Sequence, residues 1–312
     1  MRIMANGQKL GKIKDFEMPE DFEGLVKSYS SMGFQASHLA DAVEIMQTMK
    51  KEKTTVFFGF TANLVASGMR GIIKEMCKSK FVDAIVTTAG ALEHDIMKSH
   101  KPYLKGSFNA DDVGLHKKGI NRIGNIFVPS ERYIYLEKFL LGIFKEIYDE
   151  KKCTCPKELA EKFGEKLGGD SFLYWCAKNK IPVFCPGISD GAIGLQMYFF
   201  KQEHRDFCVD VTGDMKELAD LTLNADKTSA IILGGGISKH HIIGANLLRD
   251  GLDYAVYFTT AQEYDGSLSG AQTREAKSWG KIKEKAKSAT VYGDAAISFP
   301  LAYACMKEKK IF

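Results

Sequence analysis

The chain has no apolar run that approaches the roughly 18 residues needed to span a membrane. Its first eight residues also lack the apolar stretch of a secretory signal peptide. The formal net charge of +4 is too small to indicate a nucleic-acid partner. These absences predict a cytoplasmic protein that interacts with neither membranes nor nucleic acids.

Disulfide scaffolds and metal centres are also disfavoured. The seven cysteines are scattered along the chain, and this odd number is typical of reduced thiols in a cytosolic protein. Cys153 and Cys155 form the only close pair in the sequence, with no second pair near enough to complete a zinc site. The sequence therefore predicts no metal site.

No proline-rich, serine-rich or repeated segment marks a linker, and 312 residues suffice for one large core. Instead, short runs of apolar, β-branched or aromatic residues alternate with amphipathic stretches of helical length. The predicted strands are residues 55–60, 83–88, 181–185, 229–233, 254–259 and 289–292. The predicted helices are residues 64–78, 133–148, 156–179, 215–224, 240–249 and 275–287.

Strands that are apolar nearly throughout are buried on both faces, which is typical of a parallel sheet covered by helices. The alternation predicts a single α/β domain: a doubly wound, mostly parallel, Rossmann-like sheet with helices on both faces. We expect residues 1–50 to form a helical segment packed on the main domain of residues 51–312. Apolar residues recur there at helical spacing: Leu39, Ala42, Val43, Met46 and Met49.

Several predicted strands run into small or polar residues, at the position where ligands of such sheets bind. Glycine lets backbone N–H groups approach a phosphate, and a following helix N-terminus favours negative charge. The three glycines at 234–236 are the best candidate for a diphosphate cradle. Each segment alone could be a tight turn, and none is a strict G-x-G-x-x-G. Together they indicate a nucleotide-type ligand without naming it.

Lys281 is an unusually placed lysine, because it follows Trp279 and Gly280 rather than lying among other charges. An aromatic wall removes water from an ammonium and favours the neutral amine, which is the nucleophile. The alternative is a solvated lysine, since the lysines at 283, 285 and 287 resemble the exposed face of a helix.

Other candidate residues also allow two interpretations. His240 and His241 at a helix start could act in proton transfer or simply pack. Asp190 could accept hydrogen bonds from ribose hydroxyls or cap the next helix.

Acidic residues suggest a cationic ligand. The run Glu93, His94 and Asp95 could meet a cationic substrate or open a helix. Carboxylates upstream of Lys281 would suit a ligand with several ammonium groups, although they could also form a flexible acidic loop. They are Glu263, Asp265 and Glu275.

Read together, these segments resemble the deoxyhypusine synthase family from about residue 55 to the C-terminus. The short N-terminal segment is similar to that of archaeal members. The runs that carry the resemblance are residues 61–68, 86–90, 122–129, 181–186, 232–241, 254–257, 260–267 and 278–282.

The resemblance implies a transferase that uses NAD to remove hydride from the polyamine spermidine. A lysine captures the four-carbon fragment as an imine and passes it to one lysine of the precursor of translation factor 5A, the first step of hypusine formation. Lys281 would be that nucleophile, and His240 would help to deprotonate the amine. The resemblance also implies a homotetramer with active sites between subunits.

The resemblance further assigns the binding residues. Trp279 would flank the polyamine chain, and Glu275 and Glu93 would hold its ammonium ends. The other amine-binding residues would be His94, Tyr257, Gly266 and Ser267. The NAD-binding residues would be Asn63, Thr88, Ala89, Gly90, Asp190, Gly235, Thr260, Ala261, Asp265, Asp294 and Ala295.

The chain departs from the animal-type pattern at Leu195 and Leu268, where aspartates contact spermidine, and at His94, where a glutamate is replaced. A charged hydrogen bond is worth about 1.5–3 kcal/mol, so we expect the reaction to be retained and the amine selectivity to be altered. Homospermidine synthase-like transfer to a small amine such as putrescine is an alternative, as is a different amine donor. A non-catalytic NAD-binding relative is a third, against which the presence of Lys281 and His240 argues.

Overall fold

The core of the protein is a six-stranded parallel sheet, seen here in a computed structural model that describes residues 4–5, 8–9 and 11–308. The signal-peptide prediction concerns residues that lie largely outside this described part. In chain order the strands are β1 (Thr55–Phe60), β2 (Ala84–Val86), β3 (Val183–Phe184), β4 (Thr228–Leu233), β5 (Leu252–Thr259) and β6 (Ile282–Tyr292).

The strand order across the sheet is β6-β5-β4-β1-β2-β3, and every neighbouring pair is parallel. The chain thus builds one half of the sheet outward from β1 and then returns to place β4 on the other side of β1. A ligand crevice is expected outside the carboxyl ends of β1 and β4, where the order reverses.

Helices cover both faces of the sheet, as predicted. Phe58 and Phe57 are adjacent in β1, yet they belong to hydrophobic clusters on opposite faces, and Ile231 and Ile232 in β4 repeat the pattern. The helices of eight or more residues, together with the six-residue α11, are α1 (Phe22–Tyr29), α2 (Gln35–Lys51), α3 (Arg70–Lys78), α4 (Ala89–His100), α5 (Glu131–Glu150), α6 (Pro156–Glu165), α7 (Phe172–Asn179), α8 (Ala192–Glu203), α9 (Met215–Leu223), α10 (Ile237–Ala245), α11 (Thr273–Ser278) and α12 (Ala295–Glu308). The predicted fold class is confirmed.

Helix α2 packs against the edge strand β6. Its predicted apolar face is buried and shares one hydrophobic cluster with residues of the sheet. The division of the chain at residue 50 stays a prediction.

Smaller elements lie outside the main sheet. Three short strands, Leu104–Lys105, Ile120–Ile123 and Ile126–Pro129, form an antiparallel sheet, and Cys153–Thr154 pairs in parallel with Cys208–Val209. The described part of the chain brings together no group of three or more His, Cys, Asp or Glu side chains that could hold a metal ion. None of the helices described there is long and apolar enough to cross a bilayer.

The helix predicted over residues 275–287 is wrong. Helix α11 ends at Ser278, and Gly280 adopts a left-handed φ of 68° that turns the chain into β6. The lysines at 283, 285 and 287 therefore lie on an edge strand and not on a helix. The predicted strand 289–292 is only the last part of β6.

The single helix predicted over residues 156–179 is also wrong, because it is two helices, α6 and α7. Gly168 and Gly169 lie in the break, and the Ser171 hydroxyl accepts a hydrogen bond from the Tyr174 N–H to start α7.

Helices α4, α8 and α12 were not predicted. Helix α4 is buried along most of its length, so its sequence carries no amphipathic period. Helix α12 contains Pro300, a residue that normally argues against a helix interior.

Candidate active site

The carboxyl ends of all six strands meet at one edge of the sheet, because the strands are parallel. The segments that follow these ends hold every residue that the family resemblance assigns to NAD. They are Asn63 after β1, Thr88, Ala89 and Gly90 after β2, Asp190 after β3, Gly235 after β4, Thr260, Ala261 and Asp265 after β5, and Asp294 and Ala295 after β6.

The glycine turn after β4 is built so that side chains are excluded. Gly234 and Gly236 have left-handed φ values of 87° and 70°. A Cβ on Gly235 would lie 2.5 Å from the Ser269 Cα, closer than real Cβ atoms approach. Gly236 then starts α10 without a side-chain cap, so the helix start presents backbone N–H groups suited to an anion, whereas the Gly234 N–H donates to the Phe258 carbonyl.

The start of α4 offers a second such surface beside the turn after β1. Thr88 precedes α4 but makes no side-chain cap, and a Cβ on Gly90 would lie only 3.0 Å from the Ala62 Cβ. In the same turn the Thr61 hydroxyl donates to the Asn63 Oδ1 at 2.6 Å. The backbone segments near the switch point between β1 and β4 are therefore closely packed and carry small side chains.

Two of the three aspartates assigned to NAD, Asp265 and Asp294, accept hydrogen bonds within their own loops. Asp294 Oδ1 accepts from the Ala296 N–H at 2.8 Å at the start of α12, and Asp265 Oδ1 accepts from the Ser267 N–H at 2.7 Å. Both aspartates are exposed.

A cavity of about 360 Å³ lies between α10, α11 and the start of β6. It brings together the central group of predicted amine-site residues, Lys281, His240, Glu275 and Trp279. Lys281 Nζ is 5.2 Å from the centroid of the Trp279 ring, a cation–π distance. Trp279 is 66% exposed, so within this chain the aromatic wall is open to solvent on its outer side.

Leu268 is another lining residue of this cavity, whereas Leu195 lies elsewhere, exposed on α8. The apolar side chain at 268 therefore faces the space in which the predicted amine would bind. Gly266 and Ser267 are exposed in the turn just before Leu268.

Sequence reasoning missed Lys239, which is 1% exposed and also lines the cavity. Its Nζ donates to the Leu268 carbonyl at 2.7 Å and to the Ala271 carbonyl, and lies 4.4 Å from the Tyr257 ring centroid. Removal from water lowers the pKa of Lys239 to about 8. A helical signal was present, since Lys239 precedes the buried Ile242 and Ile243 by three and four positions.

Glu93 and His94 lie inside α4 and are buried. The Ile193 N–H, at the start of α8, donates to Glu93 Oε1 at 2.9 Å, and burial raises the pKa of this carboxyl group. His94 Nδ1 lies 2.9 Å from the Tyr103 hydroxyl, and burial lowers the pKa of His94 to about 4. Neither belongs to the described residues that line the Lys281 cavity. Their roles toward the amine stay predictions.

Asp95, which follows Glu93 and His94 in the sequence, contacts only other residues of the protein core. Its carboxylate is 2.5 Å from Arg70 Nε and accepts from the Ser171 hydroxyl and the Leu173 N–H, at the start of α7. Asp95 therefore joins α3, α4 and α7.

The fold and this site define a Rossmann-like α/β protein with a lysine, a histidine and a carboxylate in one cavity beside a glycine-rich strand edge. The family model described as deoxyhypusine synthase matches residues 24–306 of the chain. The chain belongs to the deoxyhypusine synthase family, and this membership implies that it is an enzyme.

The sequence is similar to those of archaeal relatives over nearly their full lengths. A "Probable deoxyhypusine synthase" of Methanocaldococcus jannaschii is 46% identical over 303 residues, covering 91% of this chain and 92% of the relative. A protein of the same name from Thermoplasma acidophilum is 45% identical over 283 residues, covering 90% and 91%.

A solved structure supports the fold. The crystal structure of a family member from Entamoeba histolytica has a TM-score of 0.70 at 28% identity, covering 94% of this chain and 96% of that one. The ternary complex of AgrE with ornithine and NAD⁺ has a TM-score of 0.53 at 13% identity, covering 89% of this chain and 34% of that one, a likeness of fold alone.

Proposed function

We propose that this protein is a deoxyhypusine synthase that transfers the 4-aminobutyl group of spermidine to one lysine of the translation factor 5A precursor. The observation that supports this most is the shared cavity of Lys281, His240, Glu275 and Trp279, one wall of which is the helix that follows the glycine turn. An active site between subunits of a homotetramer, as the family resemblance implies, would cover the open side of Trp279.

The carboxyl edge fits NAD as the cofactor. The glycine turn at 234–236 and the uncapped starts of α4 and α10 would receive the diphosphate, because the helix starts offer free N–H groups and the turn has no intruding side chain. Asp190, Asp265 and Asp294 are exposed carboxylates that would accept hydrogen bonds from ribose hydroxyls. Bound NAD would supply the hydride acceptor and, when reduced, the hydride donor.

The cavity residues would divide the amine chemistry among them. Glu275 would pair with an ammonium group, and Trp279 would contact the alkyl chain. His240 would take the proton from the secondary amine nitrogen. Lys281 would then attack the oxidised carbon, form its own imine with the four-carbon fragment and release propane-1,3-diamine.

The acceptor lysine would next attack the carbon of the Lys281 imine. This step transfers the imine to the protein substrate and returns Lys281 as a free amine. Reduction of the new imine makes the bond permanent.

Trapping tests the role of Lys281. With NAD and spermidine, borohydride should reduce the imine to a stable adduct on the peptide that carries Lys281, measured by mass spectrometry. Lys281→Arg should lose the adduct and keep NAD binding, whereas Lys285→Arg, a change at an exposed β6 lysine, should keep both. An equal adduct yield in Lys281→Arg would refute the nucleophile assignment.

Leu268 in the cavity wall favours a second candidate, transfer with a different amine. Labelled spermidine offered with both the 5A precursor and putrescine should label the protein. Label found only in putrescine would show homospermidine synthase-like activity instead. Parallel reactions with agmatine as donor would show whether the apolar wall has changed the preferred amine.

A further inference from the structure

Lys239 is a buried cation that has no carboxylate bonded to it. Its ammonium is held by the Leu268 and Ala271 carbonyls and by the face of the Tyr257 ring. Burial of an ammonium without a bonded carboxylate is unfavourable, and it lowers the pKa of Lys239 although the charge of Glu275 acts in the opposite direction. An apolar side chain would fill this space without that cost, which indicates that the ammonium has a further role.

The two carbonyls belong to the segment that forms one wall of the Lys281 cavity. Leu268 and Ala271 line it directly, and Glu275 follows one helical turn later in α11. The opposite wall is α10, which carries Lys239 itself and His240. The ammonium therefore joins the wall that holds the histidine to the wall that holds the carboxylate.

Other bonds hold this segment to the sheet but not to α10. The Thr259 hydroxyl donates to the Ser269 carbonyl at 3.3 Å, and Gln272 Nε2 donates to the Tyr292 hydroxyl at 2.8 Å. These contacts fix the segment toward β5 and β6. On the side facing α10, Lys239 supplies the hydrogen bonds, next to apolar packing in one cluster that includes Leu268 and Ile242.

We propose that Lys239 is a positioning residue that sets the width of the amine cavity by holding the Leu268 and Ala271 carbonyls against α10. It thereby keeps Glu275 at the correct distance from His240 for one amine to contact both. This inference rests on the proposed function, since it takes the ligand of the cavity to be an amine.

Lys239→Met tests the proposal, because methionine keeps the length and the contact with Tyr257 but removes both hydrogen bonds. We expect the Kd for spermidine in the NAD-loaded protein to rise at least tenfold, with the Kd for NAD unchanged. A lysine that served only as an additional positive charge would have the opposite effect, since its loss would tighten binding of a polycation. Unchanged or tighter spermidine binding would overturn the proposal.

The chain offers a matched control in Lys98. Its Nζ also donates to two carbonyls, of Val65 and Ala66, and lies 5.5 Å from the Tyr103 ring centroid, yet Lys98 is not a lining residue of the Lys281 cavity. Lys98→Met should leave spermidine affinity within twofold of wild type. An equal loss in both variants would mean a general effect of removing a buried lysine and would refute a positioning role.

A double-mutant cycle with Glu275→Gln tests whether Lys239 affects spermidine binding through the position of Glu275. If Lys239 acts by placing Glu275, the double variant should bind spermidine no more than threefold more weakly than Glu275→Gln alone. If the loss of spermidine affinity in the double variant equals the product of the losses in the two single variants, that route is refuted. At saturating spermidine, Lys239→Met should still form the borohydride adduct on Lys281, because the backbone of Lys281 is bonded to Leu252 of β5 and Ala276 of α11 and not to Lys239.

The two proposals fail in different ways. Absence of spermidine binding and of any adduct in the wild-type protein would overturn the proposed function, and the role of Lys239 with it. Normal wild-type binding with equal binding by Lys239→Met would overturn the role of Lys239 alone.

Discussion

At the scale of single residues, burial decides which side chains sequence reasoning could identify. Lys281, His240, Glu275 and Trp279 were predicted as one site, and they line one cavity. Lys239 was missed because the residue type does not indicate that this side chain is buried, and a lysine is normally expected at the surface. Glu93 was expected at an ammonium group, whereas its visible partner is a backbone N–H of α8.

His94 makes the stability of the protein dependent on pH. Burial, and next to it the charge of Lys98, lowers the pKa of His94 to about 4, below its usual value of 6.5. The folded protein therefore keeps a neutral imidazole while the unfolded chain takes up a proton below pH 6.5. The stability that comes from keeping His94 neutral in the folded protein is therefore fully present above pH 6.5. It is lost as the pH falls from 6.5 toward 4, because protonation then favours the unfolded chain.

Urea unfolding at pH 7 and pH 5 measures this contribution. Between these pH values His94 should account for a loss of about 2 kcal/mol in the free energy of unfolding. In His94→Gln, which cannot titrate, the difference between the two pH values should shrink by about that amount. A variant with the same pH dependence as wild type would contradict the assignment.

At the scale of elements, the apolar runs predicted the buried strands well, and glycine conformation explains one of the wrong helices. Residues 55–60 are strand β1 with the predicted ends, because the run is buried on both faces. The helix predicted over 275–287 failed because Gly280 takes a left-handed φ, which the sequence alone does not reveal. Lysines at alternate positions of β6 then resembled the exposed face of a helix.

The turn between β4 and α10 carries a prediction about cofactor binding. Gly235→Ala would place a methyl group 2.5 Å from the Ser269 Cα, so the turn or the neighbouring backbone must move. We expect the Kd for NAD, measured by calorimetry, to rise at least tenfold. Gly244→Ala in α10 is the control, because nothing lies within 4 Å of its Cβ position. Equal NAD affinity of the two variants would argue against the cradle.

At the scale of the whole molecule, alternation of strands and helices was enough to predict a doubly wound parallel sheet. The order β6-β5-β4-β1-β2-β3 was not predicted, because each buried strand is apolar on both sides and carries no signal of its neighbours. The switch point between β1 and β4 follows from that order alone. It explains why residues as distant in sequence as Asn63 and Gly235 lie in neighbouring turns.

The edge strand β6 has one further consequence, for the behaviour of the protein at high concentration. It is 11 residues long and has a neighbouring strand on one side only. Side chains already bond several backbone groups on its other side: Lys277 Nζ donates to two of its carbonyls, and the Tyr292 N–H donates to Gln35 Oε1. The backbone groups that remain could pair with a strand of another chain. Its first half carries Lys283, Glu284, Lys285 and Lys287, and charged side chains make such pairing unfavourable. These charged side chains thus protect the chain against aggregation along the edge formed by β6.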